Sequence, residues 1–488
     1  MFDFSKRMFI AWCCLLTLAL PAKAANTQVA LKRIDQYVSS HFRAYDDLRE
    51  ACARVGHRLT GSENGRRAER MAFNLLNAAG LDDLGFQPFN LQAWFREKVS
   101  LQVVDSPSGA GRQLPVVALS SSPEHAAVQA ELVDVGNGLE ADFNRVGKFL
   151  KGRLALAYLG ILPGSGKVRN LHRTEKTAMA IRCGAVGIVF FNQVPGGVLL
   201  TGTASLSGSL IAIPAVCISH EDGLSLRKRL QSGESVRVKL AMRNHARPAS
   251  ARNVIATLKG RAPGNESIII GAHLDSWDLA CGAIDNGIGA FAVIGVARTL
   301  AAIRPRPKRT VKFVLFMGEE QGILGSHAFV KEALKSGDLR GVRLMMNLDM
   351  TANPVGFRGE EAAAPGLKAL GDAIRMVVPD FPNQFRAGVG LHGDGRYFLL
   401  RGIPVISPMG RLDKGVYRYY HSNRDTFDLV NRDHLFQSVR ITAMAVYALA
   451  DAESLPLPVR TDDEVRRFLM EKGFRKELER TGEWRWPE

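Results

Sequence analysis

Three apolar runs in the second half of the chain end in histidine or carboxylate side chains, and this feature constrains the fold most. The runs span residues 267–273, 310–320 and 342–350. Helix-like periodic segments lie between them, which is typical of a mostly parallel sheet with helices on both faces. Ligands of such sheets bind at the carboxyl ends of the strands. We therefore expect the residues that end the runs to meet at one edge of the sheet: His273, Glu319, Glu320 and Asp349.

The rest of the chain divides into parts of different composition. Residues 25–118 begin with helical periodicity, include an amphipathic stretch at 66–79 and continue into strand-like segments at 86–94 and 99–104. Residues 119–248 contain short β runs separated by glycine-rich loops. This second part predicts a β-rich insert with its own core. We expect the insert to stand beside the mouth of the site.

The alternation of strands and helices resumes over residues 249–455, so these residues and residues 25–118 predict one α/β domain that the insert interrupts. Residues 456–488 form a charged, aromatic tail for which the pattern predicts one amphipathic helix. The chain has 488 residues, of which 46% are hydrophobic, and is long enough for two or three cores. Helical patterns of the main domain lie at 290–301, 325–334, 367–377 and 434–450.

The N-terminus has the pattern of a secretory signal peptide, residues 1–24. Lys6 and Arg7 precede an apolar run from Met8 to Leu20, and Ala22-Lys23-Ala24 supplies small residues for cleavage after Ala24. A membrane anchor is the alternative, but the apolar run is too short to span a bilayer comfortably. The pattern predicts a secreted or periplasmic protein.

The chain is basic, with 64 Lys and Arg against 48 Asp and Glu. These cations are spread along the sequence and accompany no nucleic-acid motif, so we expect neither a nucleic-acid partner nor a membrane partner after signal cleavage. The sequence leaves a homodimer open. Four cysteines follow the signal, and those in apolar runs are expected to be core thiols.

The first chemical motif is His273-Leu-Asp275. Residues i and i+2 of a strand face the same way, so Asp275 can reach the imidazole and orient it as a metal ligand. Asp285 follows in the glycine-flanked sequence GAIDNG. Its two oxygens could bridge two metal ions, whereas the alternative is a helix N-cap, a role that Asn286 could equally serve.

The remaining candidates complete a metal site. Glu319 and Glu320 are adjacent at a strand end, so one carboxylate can bind a metal while the other accepts a proton from water. Asp349 ends the next run in the same way, and His421 supplies a second imidazole from a tyrosine-rich loop. Imidazole nitrogen with carboxylate oxygen suits zinc or a similar divalent ion.

These strings carry a specific resemblance: HLDSWD, GAIDNG, GEEQG, NLDM and YHSNRDT. They resemble the co-catalytic zinc aminopeptidase family, in its plasma glutamate carboxypeptidase (carboxypeptidase Q) branch, over nearly the whole mature chain to about residue 455. The segments GHRLTGS and QAWFRE are similar to that branch, and the insert resembles a protease-associated (PA) domain. The resemblance implies a zinc exopeptidase fold.

The resemblance also implies a role for each candidate. Two zinc ions per chain are expected, with Asp285 as the bridging ligand and a cis Asp285–Asn286 peptide bond. Glu319 is the expected general base, Asp275 orients His273, and Tyr420 contacts the substrate. The LHGDGRYF segment departs from the branch after HG, where the branch has EGTD. The expected pairs of ligands are His273 with Asp349 for one zinc, and Glu320 with His421 for the other.

The expected activity is hydrolysis of dipeptides, or of N-terminal residues of short peptides, by water that the zinc ions activate. One alternative is a carboxypeptidase on the same site, which would need a cationic pocket for the substrate carboxylate. A non-catalytic binding protein of peptidase descent would be expected to lose ligands or the base, and all are present here. A single-zinc cyclase of related fold is the remaining alternative.

Overall fold

The computed structural model describes residues 26–104 and 111–487. The predicted signal peptide and its cleavage site lie outside these residues. The α-helices are α1 (26–41), α2 (Ala44–Arg54), α3 (Glu63–Asn77), α4 (Glu140–Val146), α5 (Arg173–Arg182), α6 (His220–Gln231), α7 (Ile288–Ala302), α8 (Leu324–Ser336), α9 (Ala364–Arg375), α10 (Arg396–Leu399), α11 (Arg432–Asp451), α12 (Asp462–Glu471) and α13 (Arg475–Arg480).

The strands of the described residues join into one sheet with the order β13-β12-β14-β11-β9-β10-β8-β4-β5-β6-β7-β3, and β1 pairs with β8 and β2 beside this path. They are β1 (Asp83–Val104), β2 (Gly111–Leu114), β3 (Val116–Ala118), β4 (His125–Asp134), β5 (Leu154–Tyr158), β6 (Gly187–Phe191), β7 (Ala215–Ile218), β8 (Arg237–Leu258), β9 (Ser267–His273), β10 (Thr310–Phe316), β11 (Val342–Asn347), β12 (Gly356–Gly359), β13 (Gln384–Ala387) and β14 (Val405–Met409).

The centre of the main domain is parallel, as predicted. Strands β10, β9, β11 and β14 run in the same direction, while β8 is antiparallel to β10 and β12 is antiparallel to β14. Every residue of β9 is buried, because helices cover both faces of the sheet. The main core joins this sheet to α2, α7, α9 and α11.

Helix α7 lies inside this core. Apart from Arg298 and the last residue, its side chains are buried. Within the described part of the chain, the helical stretch 283–302 is the one long and apolar enough to cross a membrane, yet 94% of its most apolar window is buried in the fold. Its apolar composition is therefore explained by packing between the sheet and α11.

Two 22-residue strands connect the main domain with the insert. Strands β1 and β8 pair antiparallel along nearly their whole length, from Asp83↔Thr257 to Val104↔Arg237. The sequence predicted two separate strands at 86–94 and 99–104. This prediction was wrong, because both segments belong to the continuous strand β1. A β-bulge between Arg96 and Lys98 accommodates the polar interruption without ending the pairing.

The insert contains parallel strands β4, β5, β6 and β7, with helices α4, α5 and α6, so it is richer in helix than the predicted β-rich unit. Leu101, Val103 and Leu114 pack in its core, although the predicted division lies at residue 119. This packing favours a boundary inside β1 and β8. The predicted single helix of the tail is also wrong, because the chain turns at Gly473 (φ 72°) between α12 and α13.

Candidate metal centre

The strand ends meet as the sequence predicted. His273 is the last residue of β9 and pairs in register with Phe316, the last residue of β10. Glu319 and Glu320 lie three and four residues beyond β10, and Asp349 lies two residues beyond β11, on the other side of β9. Because these neighbouring strands are parallel, their carboxyl ends place the side chains at one edge.

Asp285 lies between the two imidazoles. Its Oδ1 is 3.3 Å from Nε2 of His273, and its Oδ2 is 3.0 Å from Nε2 of His421. Nε2 of His421 is also 2.8 Å from Oε2 of Glu320. Each oxygen of Asp285 therefore faces a different histidine.

The residues present fit a metal ion. His273, Asp285 and Glu320 are all buried, and one potential ligand atom from each lies within 4.8 Å of the others. Oε1 of Glu320 is buried with no hydrogen-bond partner among the described residues, and such an atom is costly unless a cation or water satisfies it. Asp349 Oδ1 is 3.6 Å from His273 Nε2 and its side chain is 38% exposed, so it closes the centre on the open side.

The charges of the centre are strongly coupled. Burial acts to lower the pKa of His273, but hydrogen bonds with Asp275, Asp285 and Asp349 outweigh burial and raise the pKa well above its usual value. Burial also acts to lower the pKa of His421, but the nearby carboxylates of Glu320 and Asp285 outweigh burial and raise the pKa well above its usual value. The carboxylates thus hold positive charge on both imidazoles, and a divalent ion can supply that charge in place of the protons.

Glu319 lies beside the ligand cluster. Burial, together with the negative charges of Glu320, Asp349 and Asp394, raises its pKa well above the usual range, although His273 opposes this. A carboxyl group with a raised pKa can hold a proton at neutral pH. Its backbone N–H donates to Oδ1 of Asp275 at 3.3 Å, which ties the β10 loop to the first motif.

Asp275 has the position predicted for an orienting residue. Its Oδ1 is 3.5 Å from Nδ1 of His273, on the ring edge opposite Asp285. Thr60 donates its hydroxyl to Oδ2 of Asp275 at 2.9 Å, and both side chains are fully buried. The Asp275 carboxylate is therefore held on two sides.

Asn286 contacts the first turn of α7, although the N-cap position itself is Gly287. Oδ1 of Asn286 accepts from the backbone N–H of Gly289 at 3.2 Å and of Met350 at 3.0 Å. Asp285 makes no such contact with the helix, so its carboxylate remains available to the centre. The Asp285–Asn286 peptide bond is cis, as the resemblance implied.

Two supporting residues were not singled out from the sequence. Asp425 is 3% exposed and accepts from the backbone N–H groups of Ile284 at 2.7 Å and Asp285 at 3.0 Å. The fully buried Arg58 donates to the carbonyl oxygens of Leu274 and Gly282. Arg58 lies in the GHRLTGS motif and Asp425 in the YHSNRDT motif, so the resemblance of these motifs to the family was the sequence signal that could have identified both residues.

Asp394 is a further residue that the sequence did not assign. It is 1% exposed, and burial raises its pKa to about 7, with His273 opposing. The adjacent Gly393 lies against the centre, since a Cβ there would be 3.6 Å from Asp349 Oδ2 and 4.0 Å from Glu319 Oε1. The HGDG segment, where the sequence departs from its branch, thus forms one wall of the centre.

Tyr420 lies beside the centre, with its ring tilted by 43° against that of His421. Its ring centroid is 4.5 Å from that of His421, and its hydroxyl makes no hydrogen bond within the described residues. His421 itself has a left-handed backbone (φ 56°), a strained conformation for a residue with a side chain. The structure thus places Tyr420 next to a candidate metal ligand.

The insert touches the loop that carries His421. Thr201 donates its backbone N–H to the carbonyl oxygen of His421 at 2.8 Å, and Asn423 donates its backbone N–H to the carbonyl oxygen of Leu199 at 3.1 Å. Arg173 of the insert brings Nη2 to 3.4 Å from Nδ1 of His421. The insert therefore lies directly beside the centre, as we expected.

The cysteines of the described residues are all free. Cys217 is buried in the insert core, as predicted, and Cys183 is partly buried there. Cys281 lies outside the ligand group, donating its thiol to the carbonyl oxygen of Asp425 at 3.8 Å. It is thus a supporting residue of the loop.

Comparison with known proteins finds matches to both the main domain and the insert. Residues 253–446 match the model of peptidase family M28, and residues 126–226 match the PA domain. Human carboxypeptidase Q is 24% identical over 447 residues, covering 89% of this chain and 91% of that protein. Leucine aminopeptidase 2 of Arthroderma otae is 26% identical, covering 81% of this chain and 80% of that protein.

Solved structures share the fold. A peptidase M28 precursor from Shewanella amazonensis superposes with a TM-score of 0.76 at 24% identity, covering 90% of this chain and all of that one. A zinc aminopeptidase from Bacillus subtilis superposes with a TM-score of 0.65 at 22% identity, covering 86% of this chain and 98% of that one. The likeness includes both the main domain and the insert, because coverage is nearly complete. The chain therefore belongs to peptidase family M28 and is a metallopeptidase with a PA domain inserted into its peptidase domain.

Proposed function

We propose that this metallopeptidase is an exopeptidase with two zinc ions that hydrolyses dipeptides or removes N-terminal residues from short peptides. The observation that carries the proposal is the position of Asp285, whose two oxygens face two different imidazoles at 3.3 and 3.0 Å. One buried carboxylate between two histidines favours two cations over one. Zinc is the proposed metal, because imidazole and carboxylate ligands suit it.

Five side chains would hold the ions. His273 and Asp349 would bind one, Glu320 and His421 the other, and Asp285 both. The unpartnered Oε1 of Glu320 supports this assignment, because a cation would satisfy it. When bound, zinc supplies Lewis acidity, which lowers the pKa of water and polarises the scissile carbonyl.

Glu319 is the proton carrier in this proposal. It takes the proton of the attacking water and returns it to the amine that leaves as the peptide bond breaks. Asp275 keeps the imidazole of His273 oriented throughout, and Thr60 holds Asp275. Tyr420 would contact the substrate from beside His421.

The names of the relatives support an exopeptidase but differ in the end of the peptide that is cleaved: one is a carboxypeptidase and the other an aminopeptidase. A carboxypeptidase on the same centre is therefore the second candidate. Export to the periplasm or the exterior is part of the proposal and depends on the N-terminal signal pattern. Short peptides are the proposed partners, with no nucleic acid and no membrane after cleavage.

A dipeptide panel tests the proposal. Zinc-loaded protein is assayed with one dipeptide in three forms: free at both ends, N-acetylated, and C-amidated. We expect no hydrolysis of the N-acetylated form. A strong chelator should abolish hydrolysis of all three forms. Hydrolysis of the acetylated form but not of the amide would assign the carboxypeptidase instead. No hydrolysis of any form, with zinc bound, would refute both.

A further inference from the structure

A cavity of about 610 Å³ opens beside the metal centre, within the size range of small-ligand sites. Asp349 lies at one end of the cavity, together with Asn347 and Met350. The wall away from the centre is formed by the edge of the sheet, where β13, β12 and β14 lie side by side. A substrate held at the centre would extend toward that wall.

Three hydrogen-bond donors form a row across this wall. Arg386 of β13 is in register with Arg358 of β12, and Arg358 is in register with Ser407 of β14. Residues in register on neighbouring strands project from the same face. All three line the cavity, so two guanidinium groups and one hydroxyl face the same space.

Arg358 is an exposed residue whose side chain makes one hydrogen bond to the backbone. Its Nε donates to the carbonyl oxygen of Gly388 at 3.1 Å. Gly388 has φ 146°, and a Cβ at that position would lie 3.3 Å from both Nε and Nη2 of Arg358. The glycine therefore lets the guanidinium lie against the backbone, while its two Nη nitrogens remain without a partner in the described part of the chain.

The two arginines have no neutralising partner among the described residues. Neither forms an ion pair with a carboxylate at residues 26–104 or 111–487, and like charges directly opposite on paired strands are destabilising. The charged and titratable side chains that line the cavity are Asp349, Arg358, Arg386 and His392. With Asp349 committed to a metal, the cavity presents cations and no free anion.

We propose that this cavity is a substrate subsite that binds a carboxylate through Arg386 and Arg358, with Ser407 as a third donor. Arginine suits this role because its planar group binds carboxylates with two parallel hydrogen bonds. The inference rests on the proposed exopeptidase function. The carboxylate has two sources in a short peptide, an acidic first side chain or the free C-terminus, and the same contacts serve both.

Four dipeptides separate the two sources: Glu-Ala, Gln-Ala, and the C-terminal amides of both. Two comparisons are made: Glu against Gln at the first residue, and the free acid against the amide at the C-terminus. In one of these comparisons we expect the zinc-loaded protein to prefer the charged peptide by about 10- to 100-fold in kcat/KM. This is the size of the effect of a charge-assisted hydrogen bond. The comparison that shows the preference identifies which carboxylate, that of the first side chain or that of the C-terminus, occupies the subsite.

The variants Arg386→Met and Arg358→Met test the residues themselves. Each is expected to reduce that preference at least about tenfold, because the aliphatic chain keeps its packing while the donor is lost. Lys368→Met is the matched control, since Lys368 is an exposed cation on the adjacent helix α9 that does not line the cavity. It should retain the wild-type preference.

Binding measured by calorimetry keeps the inference separate from the proposed function. If no dipeptide is hydrolysed, the proposed function fails, and titration of the same four peptides into the zinc-loaded protein still decides the subsite. Tighter binding of the charged peptides, weakened in Arg386→Met, supports the inference. Equal binding or equal kcat/KM of charged and neutral peptides, or a preference that survives in both arginine variants, overturns it.

Discussion

Asp425 provides a sensitive test of how the loop that carries Asp285 is held. Its carboxylate accepts from two successive backbone N–H groups, Ile284 at 2.7 Å and Asp285 at 3.0 Å. The substitution Asp425→Asn keeps the shape but leaves one acceptor oxygen. The new NH₂ group then faces one of the two N–H groups, donor against donor.

The magnitude follows from these contacts. A hydrogen bond to a charged group contributes about 1.5–3 kcal/mol to stability, and one is lost. Burial raises the pKa of Asp425 to about 7, so the ion is costly in place, and removing its charge offsets part of the loss. We expect the free energy of unfolding to fall by about 1.5 kcal/mol, near the lower end of that range.

Zinc competition with a chelator measures the functional consequence. Loss of a residue that orients a metal ligand typically weakens metal binding by about 10–100-fold, and we expect that range for Asp425→Asn. Asp428→Asn is the matched control, because Asp428 lies in the same loop but is exposed and contacts Thr426. Wild-type zinc affinity in Asp425→Asn would refute the argument that Asp425 positions Asp285.

Further predictions concern the base, the orienting residue, the insert and the N-terminus. Glu319→Gln should keep its zinc but lose about 10²–10⁴-fold in turnover, since the amide cannot accept a proton; near-normal turnover excludes Glu319 as the base. Asp275→Asn should weaken zinc binding by about 10–100-fold, and His273→Ala by more; equal, complete loss in both would make Asp275 a ligand. Deletion of the insert should relax the limit on peptide length, and an unchanged length profile in a folded variant would contradict a gating role. N-terminal sequencing of exported protein should begin near Ala25, whereas an intact Met1 on active protein would refute the signal peptide.

Much of the centre could be predicted because its ligands end apolar runs. The continuous apolar character of each run indicated a buried strand, and parallel strands bring their ends together, as His273 and Glu320 show. The acceptor role of Asn286 at the start of α7 could be stated only as an alternative to Asp285. The choice between them depends on a contact with Met350, 64 residues away.

The parts that the sequence did not predict depend on distant contacts. Asp425 lies 140 residues from the N–H of Asp285 that it holds, and Arg58 lies 224 residues from the carbonyl of Gly282. No local pattern encodes such pairings. The continuous β1 was also missed, because a polar interruption that usually ends a strand is here a β-bulge at Arg96 and Lys98.

Zinc stoichiometry tests the central claim, a centre of two ions bridged by Asp285, most directly. Metal-free protein is loaded with zinc, freed of excess by gel filtration, and its bound zinc is counted by mass spectrometry beside the Asp285→Ala variant. We expect two zinc ions per chain in the wild type and fewer in the variant, because both ions lose a ligand and their mutual repulsion is unscreened. A single ion in the wild type, or two in Asp285→Ala, would contradict the bridged centre.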